Sequence, residues 1–157
     1  MIKEIEKRPF SHEYETKEHR EIEKKVVSEF IRGTKMIARK LPKREVIDFV
    51  LTHDSNVVAY LEVRSRRITF DMIDDFFFPF KKFEKIRSIY QASKKTTHLA
   101  VDFKDRIVVC DLGKHDSLNL VWWGDTRDDK SHDREVMVAI PSWYFRNVKL
   151  KKEEIDG

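Results

Sequence analysis

The sequence predicts a single α/β domain, in which a mixed central β-sheet is flanked by helices and followed by a β-rich C-terminal extension. Three observations support this class. The chain has 157 residues, of which 40% are hydrophobic, so it is long enough to bury one ordinary core. Helical and strand-like hydrophobic spacings alternate along it. No internal repeat or low-complexity linker divides the chain, and it contains only four Gly and four Pro.

Composition excludes several other classes of protein. The longest apolar runs are far shorter than the roughly 20 residues that span a bilayer, so no membrane segment is expected. The polar N-terminus lacks the apolar stretch of a secretory signal, which favours a cytoplasmic location. The only cysteine, Cys110, lies in a strand-like run and is expected to be a buried structural thiol. Internal disulfides and cysteine-rich zinc sites are therefore excluded.

Polar residues at the N-terminus precede a first amphipathic helix. Residues 1–16 show no hydrophobic periodicity and predict a loose or docked arm. Hydrophobic residues recur at helical spacing from His19 to Ile31, and Gly33 supplies a stop signal. We therefore expect a helix over residues 19–31.

A short strand and a β-hairpin are expected next. The apolar stretch 36–38 is followed by Pro42, which interrupts the chain before the apolar run 46–52. Polar turn-forming residues at 53–56 separate this run from a second one at 57–64. The two longer runs predict paired antiparallel strands.

The rest of the chain predicts a second helix and a β-rich tail. Pro79 favours a helix start, since its missing N–H is not needed there, and apolar residues at helical spacing extend the helix from Phe80 to near Ser93. Further strands are predicted at 98–103, 106–111, 119–123 and 136–140.

Two acidic residues of the predicted hairpin could meet at one end of the sheet. Side chains alternate along a strand, so Glu62 and Arg64 project to the same side. Asp48 lies fourteen positions before Glu62, a separation that a short hairpin can close. Two neighbouring carboxylates repel each other unless a cation lies between them, and their hard oxygen atoms suit Mg²⁺ or Mn²⁺. Such a cation could activate water against a phosphodiester. Alternatively, Glu62 could simply pair with Arg64 or a cross-strand base on a solvated face.

These residues resemble the motif of the PD-(D/E)XK nuclease superfamily. In that family an Asp opens one strand, and Glu-x-Lys follows in the next; here Val-Ile-Asp-Phe at 46–49 precedes Tyr-Leu-Glu-Val-Arg at 60–64. The resemblance extends through about Asp111. It implies a restriction-endonuclease-like core, a single nuclease-like domain over residues 1–157, Mg²⁺ or Mn²⁺ as the cofactor, and DNA as the partner.

The resemblance also implies the residues of a catalytic site. A Glu on the first helix often completes the acidic cluster in this family. Glu23 fits, because Val26 and Val27 follow it at i+3 and i+4, and Glu29 is the competing choice. The implied metal ligands are therefore Asp48, Glu62 and Glu23.

One position departs from the family pattern. Arg64 stands where the family has lysine, and a guanidinium stays protonated, so it can stabilise phosphate but cannot act as a general base near neutral pH. Lys82, at the margin of the buried face of the second helix, is the candidate for a relocated lysine. If no lysine reaches the site, the protein binds DNA without cutting it.

Basic residues cluster at several places, although the formal net charge of +4 is only mildly basic. Such clusters could neutralise phosphates along a nucleic acid backbone, and solvated faces explain any single one equally well. The predicted nucleic-acid-binding residues are Arg39, Lys40, Lys43, Arg44, Arg66, Arg67, Lys81 and Lys85.

Three functional hypotheses remain open from the sequence. The first is a metal-dependent DNA endonuclease or exonuclease, in which Arg64 and Lys82 act together with the three carboxylates. The second is a catalytically inactive nucleic-acid-binding or protein-interaction module, and the third is a structural accessory protein of a phage. The C-terminal tail resembles that of small phage-encoded proteins with this core, which would place the protein in the host cytoplasm. Whether it forms a homodimer is also left open.

Overall fold

The structure, a computed structural model, describes the backbone of residues 2–42, 45–114, 118–123 and 135–152. Side chains are described within these ranges from residue 17 onward, with the exception of Trp123. In this part of the chain, two α-helices and nine β-strands form one α/β domain with a mixed sheet. The predicted fold class is confirmed.

Helix α1 spans Ile2–Ile31 and helix α2 spans Phe80–Ser93. The sequence predicted an arm over residues 1–16 and a helix from His19, so the predicted start of the helix was wrong. Glu, Lys and Arg are good helix formers, which lets a polar segment continue a helix without hydrophobic periodicity. The chain leaves α1 at Gly33, whose φ of 76° suits glycine.

The main sheet contains six of the described strands in the order β1-β2-β3-β5-β6-β9. Their bounds are β1 Ile37–Lys40, β2 Phe49–His53, β3 Asn56–Ser65, β5 Thr97–Asp102, β6 Arg106–Leu112 and β9 Arg146–Leu150. Strands β3 and β5 are parallel, whereas the other neighbouring pairs are antiparallel. A parallel pair requires a crossover, and α2 lies within it. The predicted hairpin of β2 and β3 is confirmed.

A second sheet contains three described strands in the order β4-β8-β7, all antiparallel. Their bounds are β4 Asp75–Pro79, β7 Asn119–Trp123 and β8 Glu135–Pro141. The sequence predicted β7 and β8 but neither β4 nor β9. Strand β4 pairs with a distant part of the chain rather than with a hairpin neighbour, so no turn signal accompanies it. Strand β9 is a short polar edge strand without a clear alternation of apolar residues.

The two faces of the main sheet bury separate hydrophobic clusters. Val26 and Val27 of α1 pack with Leu61 and Val63 of β3 on one face. The other face packs against α2 and the second sheet, through residues such as Phe78. Because side chains alternate along β3, Glu62 faces the α2 side. One strand therefore carries a hydrophobic residue towards α1 and a carboxylate towards α2.

Two expectations from composition can be compared with the structure. Cys110 is buried, as expected, and burial raises the pKa of its thiol. No helix in the described part of the chain is both long and apolar enough to cross a membrane.

Candidate active site

Asp48 lies immediately before β2, next to the C-terminal part of β3. The sequence placed it within a strand, but β2 begins only at Phe49, which pairs with Leu61. The Oδ2 atom of Asp48 accepts a hydrogen bond of 2.9 Å from the backbone N–H of Val63. This bond holds the carboxylate of Asp48 against the residue that follows Glu62, close enough for its negative charge to act on Glu62.

Glu62 is buried, and only one of its two carboxylate oxygens has a hydrogen-bond partner among the described residues. Its residue is only 1% exposed. Its Oε2 accepts a hydrogen bond of 2.6 Å from the Nζ of Lys82, and Nη2 of Arg64 lies 3.2 Å from the same oxygen. Its Oε1 has no hydrogen-bond partner among the described residues.

The pKa of Glu62 reflects this environment. Burial, together with the negative charge of Asp48, raises the pKa from its usual 4.5 to about 7, although Lys82 and Arg64 favour the charged form. Burial and the charge of Asp48 therefore outweigh the effect of the two cationic side chains that contact Glu62.

Glu23 and Lys40 form a second ion pair in the same region. Both carboxylate oxygens of Glu23 lie 2.8 Å from the Nζ of Lys40, which is also 3.9 Å from Oδ1 of Asp48. Glu29 instead pairs with Arg32 and lines a different pocket, beside His98. Of the two glutamates left open by the sequence, the structure brings Glu23 towards Asp48.

All five predicted catalytic residues line one open cleft of about 590 Å³. They are Glu23, Asp48, Glu62, Arg64 and Lys82. Of the predicted nucleic-acid-binding residues, Lys40, Arg66 and Arg67 also line the cleft. Arg39, Lys81 and Lys85 do not line it, and Lys43 and Arg44 lie outside the described residues.

Sequence reasoning missed several residues of this cleft. His19 and Arg20 line it from α1, together with Glu45 from the loop before β2. The two α1 residues precede Glu23 by four and three positions, so they lie on the same helix face. That spacing could have identified them once Glu23 was chosen. No local pattern indicated the pairing of Lys40 with Glu23.

A protein-family model matches residues 9–148, and its description is "Phage putative PDDEXK endonuclease". The chain belongs to this family. The PDDEXK resemblance inferred from the two motif segments is thereby confirmed, and the family is one of nucleases, which generally use divalent metals.

Other comparisons concern curated proteins and solved structures. No curated protein matches the PDDEXK chain. Among solved structures, Hjc from Archaeoglobus fulgidus, described as a Holliday junction resolvase, shares 8% sequence identity. The match covers 77% of this chain and 88% of that one, with a TM-score of 0.48.

The residues of this PDDEXK chain fit a divalent cation, but not through three shared acidic ligands. Within the described ranges, no three His, Cys, Asp or Glu residues lie close enough together to hold one ion. Asp48 and Glu62 nevertheless bring two carboxylates together, and Oε1 of Glu62 is buried without a partner in the described structure. Mg²⁺ commonly binds one or two carboxylates and completes its shell with water. The pair is therefore suited to such an ion.

Because Glu62 is buried and its pKa is raised, we expect the free energy of unfolding to depend on pH. Glu62 binds its proton more tightly in the folded than in the unfolded chain, so stability is lost as the pH rises from about 4.5 to about 7. A pKa rise of this size corresponds to roughly 3 kcal/mol. Glu62→Gln cannot ionise at this position and so does not lose this stability. The free energy of unfolding of the variant minus that of wild type should therefore be roughly 3 kcal/mol larger at pH 8 than at pH 4.5.

Urea denaturation in EDTA at the two pH values measures this difference. If the free energy of unfolding changed by the same amount between the two pH values in wild type and in Glu62→Gln, the prediction would be contradicted. Adding Mg²⁺ at pH 8 should then stabilise wild type more than Glu62→Gln, because a cation bound to the folded chain offsets the buried negative charge.

Proposed function

We propose that this chain, acting as one nuclease domain, is a metal-dependent deoxyribonuclease that hydrolyses phosphodiester bonds. The observation that carries the proposal is the position of Lys82, whose Nζ lies 2.6 Å from Oε2 of Glu62 in the cleft that also contains Asp48. The amine missing from position 64 is thus supplied by α2. An amine and two carboxylates share one site, which is the set of groups that the family motif provides.

Asp48 and Glu62 are the proposed ligands of Mg²⁺ or Mn²⁺. When bound, the ion would lower the pKa of a water molecule and stabilise negative charge on the phosphate. Lys82 holds Oε2 of Glu62, which leaves Oε1, without a hydrogen-bond partner in the described part of the chain, available to the ion. The hydrogen bond from Val63 similarly restrains Asp48. Both carboxylates are therefore held in place before metal or DNA arrives.

Arg64 and Lys82 are proposed to stabilise the phosphate during hydrolysis. The guanidinium of Arg64 lies over the ring of Phe78, 5.1 Å from its centre, and contacts Glu62. Stacking and the ion pair restrict its orientation, so it can face the charge that develops on the phosphate with little rearrangement. The ammonium of Lys82 can also orient the attacking water.

Basic residues at the cleft are proposed to bind the DNA backbone. Arg66 is stacked on Phe76 at 4.6 Å, and Arg67 is 91% exposed in its side chain. Both line the cleft next to Arg64, where they can neutralise neighbouring phosphates. The phage family supports a role in phage DNA processing within the host cell.

The test is cleavage of labelled duplex, single-stranded and branched DNA by the wild-type protein. We expect cutting of at least one substrate with Mg²⁺ or Mn²⁺ and none with EDTA, because the water must be activated by the ion. Product lengths distinguish cutting within a strand from cutting at its ends.

The opposite result supports a different function. If none of the three substrates is cut, but binding persists without metal and weakens with salt, the protein is a non-cleaving nucleic-acid-binding module. The substitution of Arg64 for lysine is the observation that favours this alternative. Equal cleavage in Mg²⁺ and EDTA would contradict the proposed metal dependence.

A further inference from the structure

The ammonium group of Lys40 links two carboxylates at the α1 side of the cleft. Lys40 is the last residue of β1, Glu23 lies on α1, and Asp48 precedes β2. The Nζ atom lies 2.8 Å from both oxygens of Glu23 and 3.9 Å from Oδ1 of Asp48. One positive charge is therefore within 4 Å of three carboxylate oxygens that come from two separate segments.

Burial of Glu23 favours a cation at this position. Glu23 is only 4% exposed, whereas the side chain of Lys40 is 45% exposed. A buried carboxylate is strongly destabilised without a positive partner. His19 is the other basic group near Glu23, but its Nε2 lies 3.8 Å away and it is charged only when protonated. Lys40 consequently provides the closest positive charge for Glu23 among the described residues.

The same pair of carboxylates would suit a divalent ion if Lys40 were absent. A carboxylate with both oxygens facing one point, together with a second acidic side chain nearby, is a common arrangement of hard ligands. Asp48 would then lie between two cations, one near Glu23 and one near Glu62. In the described structure the first of these positions is filled by the lysine ammonium.

We propose that Lys40 takes the place of a second divalent cation, bridging Glu23 and Asp48, and thereby limits the cleft to one metal ion. This inference rests on the proposed function, in which that ion is bound by Asp48 and Glu62. The fixed ammonium keeps Glu23 and Asp48 together without recruiting an ion from solution. It also explains why Glu23 need not be a metal ligand here.

Direct binding of Mn²⁺ without DNA tests the proposal. Isothermal titration calorimetry should give one ion per chain for wild type and two for Lys40→Gln. Glutamine can still donate a hydrogen bond to Glu23, so the buried carboxylate keeps a partner while the positive charge is removed. The second ion should be lost again when Glu23→Gln is added to Lys40→Gln.

Two controls separate charge from structure. Lys40→Arg keeps the positive charge and should bind one ion. Lys151→Met removes a lysine that is paired with Asp102 at 2.7 Å and does not line the cleft, and this variant should also bind one ion. As a second measurement, Mn²⁺ should raise the Tm of Lys40→Gln more than that of wild type, because two bound ions stabilise the folded chain more than one.

The outcomes distinguish this inference from the proposed function. If wild type and Lys40→Gln each bound one ion, the role of Lys40 would be overturned and the Asp48–Glu62 site would stand. Binding of two ions by wild type would have the same two consequences. No ion in wild type and one in Lys40→Gln would uphold the role of Lys40 and overturn the proposed Asp48–Glu62 site. No binding by either protein would overturn both.

Discussion

Asp48→Asn is expected to reduce DNA cleavage by about 10³-fold, the largest loss that a nearly isosteric change in this cleft should cause. Metal-assisted stabilisation of the phosphate contributes several kcal/mol, and about 4 kcal/mol corresponds to 10³-fold in rate. Asparagine removes the negative charge that binds the ion. Its carbonyl oxygen can still accept the 2.9 Å hydrogen bond that Val63 donates to Asp48. Single-turnover cleavage in saturating Mg²⁺ measures the effect.

A matched control is provided by another aspartate that accepts a backbone hydrogen bond. Asp105 accepts a bond of 2.9 Å from the N–H of Phe70 and does not line the cleft. Asp105→Asn should keep wild-type cleavage. If Asp48→Asn cleaves as fast as Asp105→Asn, Asp48 does not bind a required ion. Denaturation of both variants checks that the difference is not a difference in folding.

Elements with local signals were predicted well from the sequence. Helix α2 was predicted from Phe80 to near Ser93, since Pro79 marks its start and apolar residues recur at helical spacing. The β2–β3 hairpin was predicted because a polar turn separates two apolar runs; Asp54 and Ser55 both adopt positive φ angles there. Strands β4 and β9 were missed, because each is stabilised by partners that are distant in sequence.

The candidate site divides in the same way. Asp48 and Glu62 could be paired from the sequence, because a hairpin converts their spacing into proximity. Lys82 could be proposed from its place relative to the buried face of α2, and the structure brings it to Glu62. The partner of Glu23 could not be predicted. Lys40 is its partner because the end of β1 lies beside Glu23 where α1 crosses the sheet. Tertiary packing sets that position, and no local pattern in either segment predicts it.

Lys82→Met is expected to reduce cleavage by about 10²- to 10³-fold. Removal of one preorganised electrostatic group from an active site typically has this effect. Methionine retains much of the apolar stem but leaves Glu62 without its 2.6 Å hydrogen bond. The carboxylate then lacks the ammonium group that orients it. The variant should therefore also bind Mn²⁺ differently from wild type, which calorimetry can measure separately from the rate.

A lysine at position 64 should partly restore this loss. Arg64→Lys returns an amine to the third position of the family motif, and Arg64 already contacts Oε2 of Glu62 at 3.2 Å. The double variant Lys82→Met with Arg64→Lys should therefore cleave faster than Lys82→Met alone. Lys151→Met is the matched control, because Lys151 is also partly buried and forms an ion pair of 2.7 Å. Full activity in Lys82→Met would show that α2 does not supply the amine, whereas loss without restoration would show that its position, and not only its charge, is required.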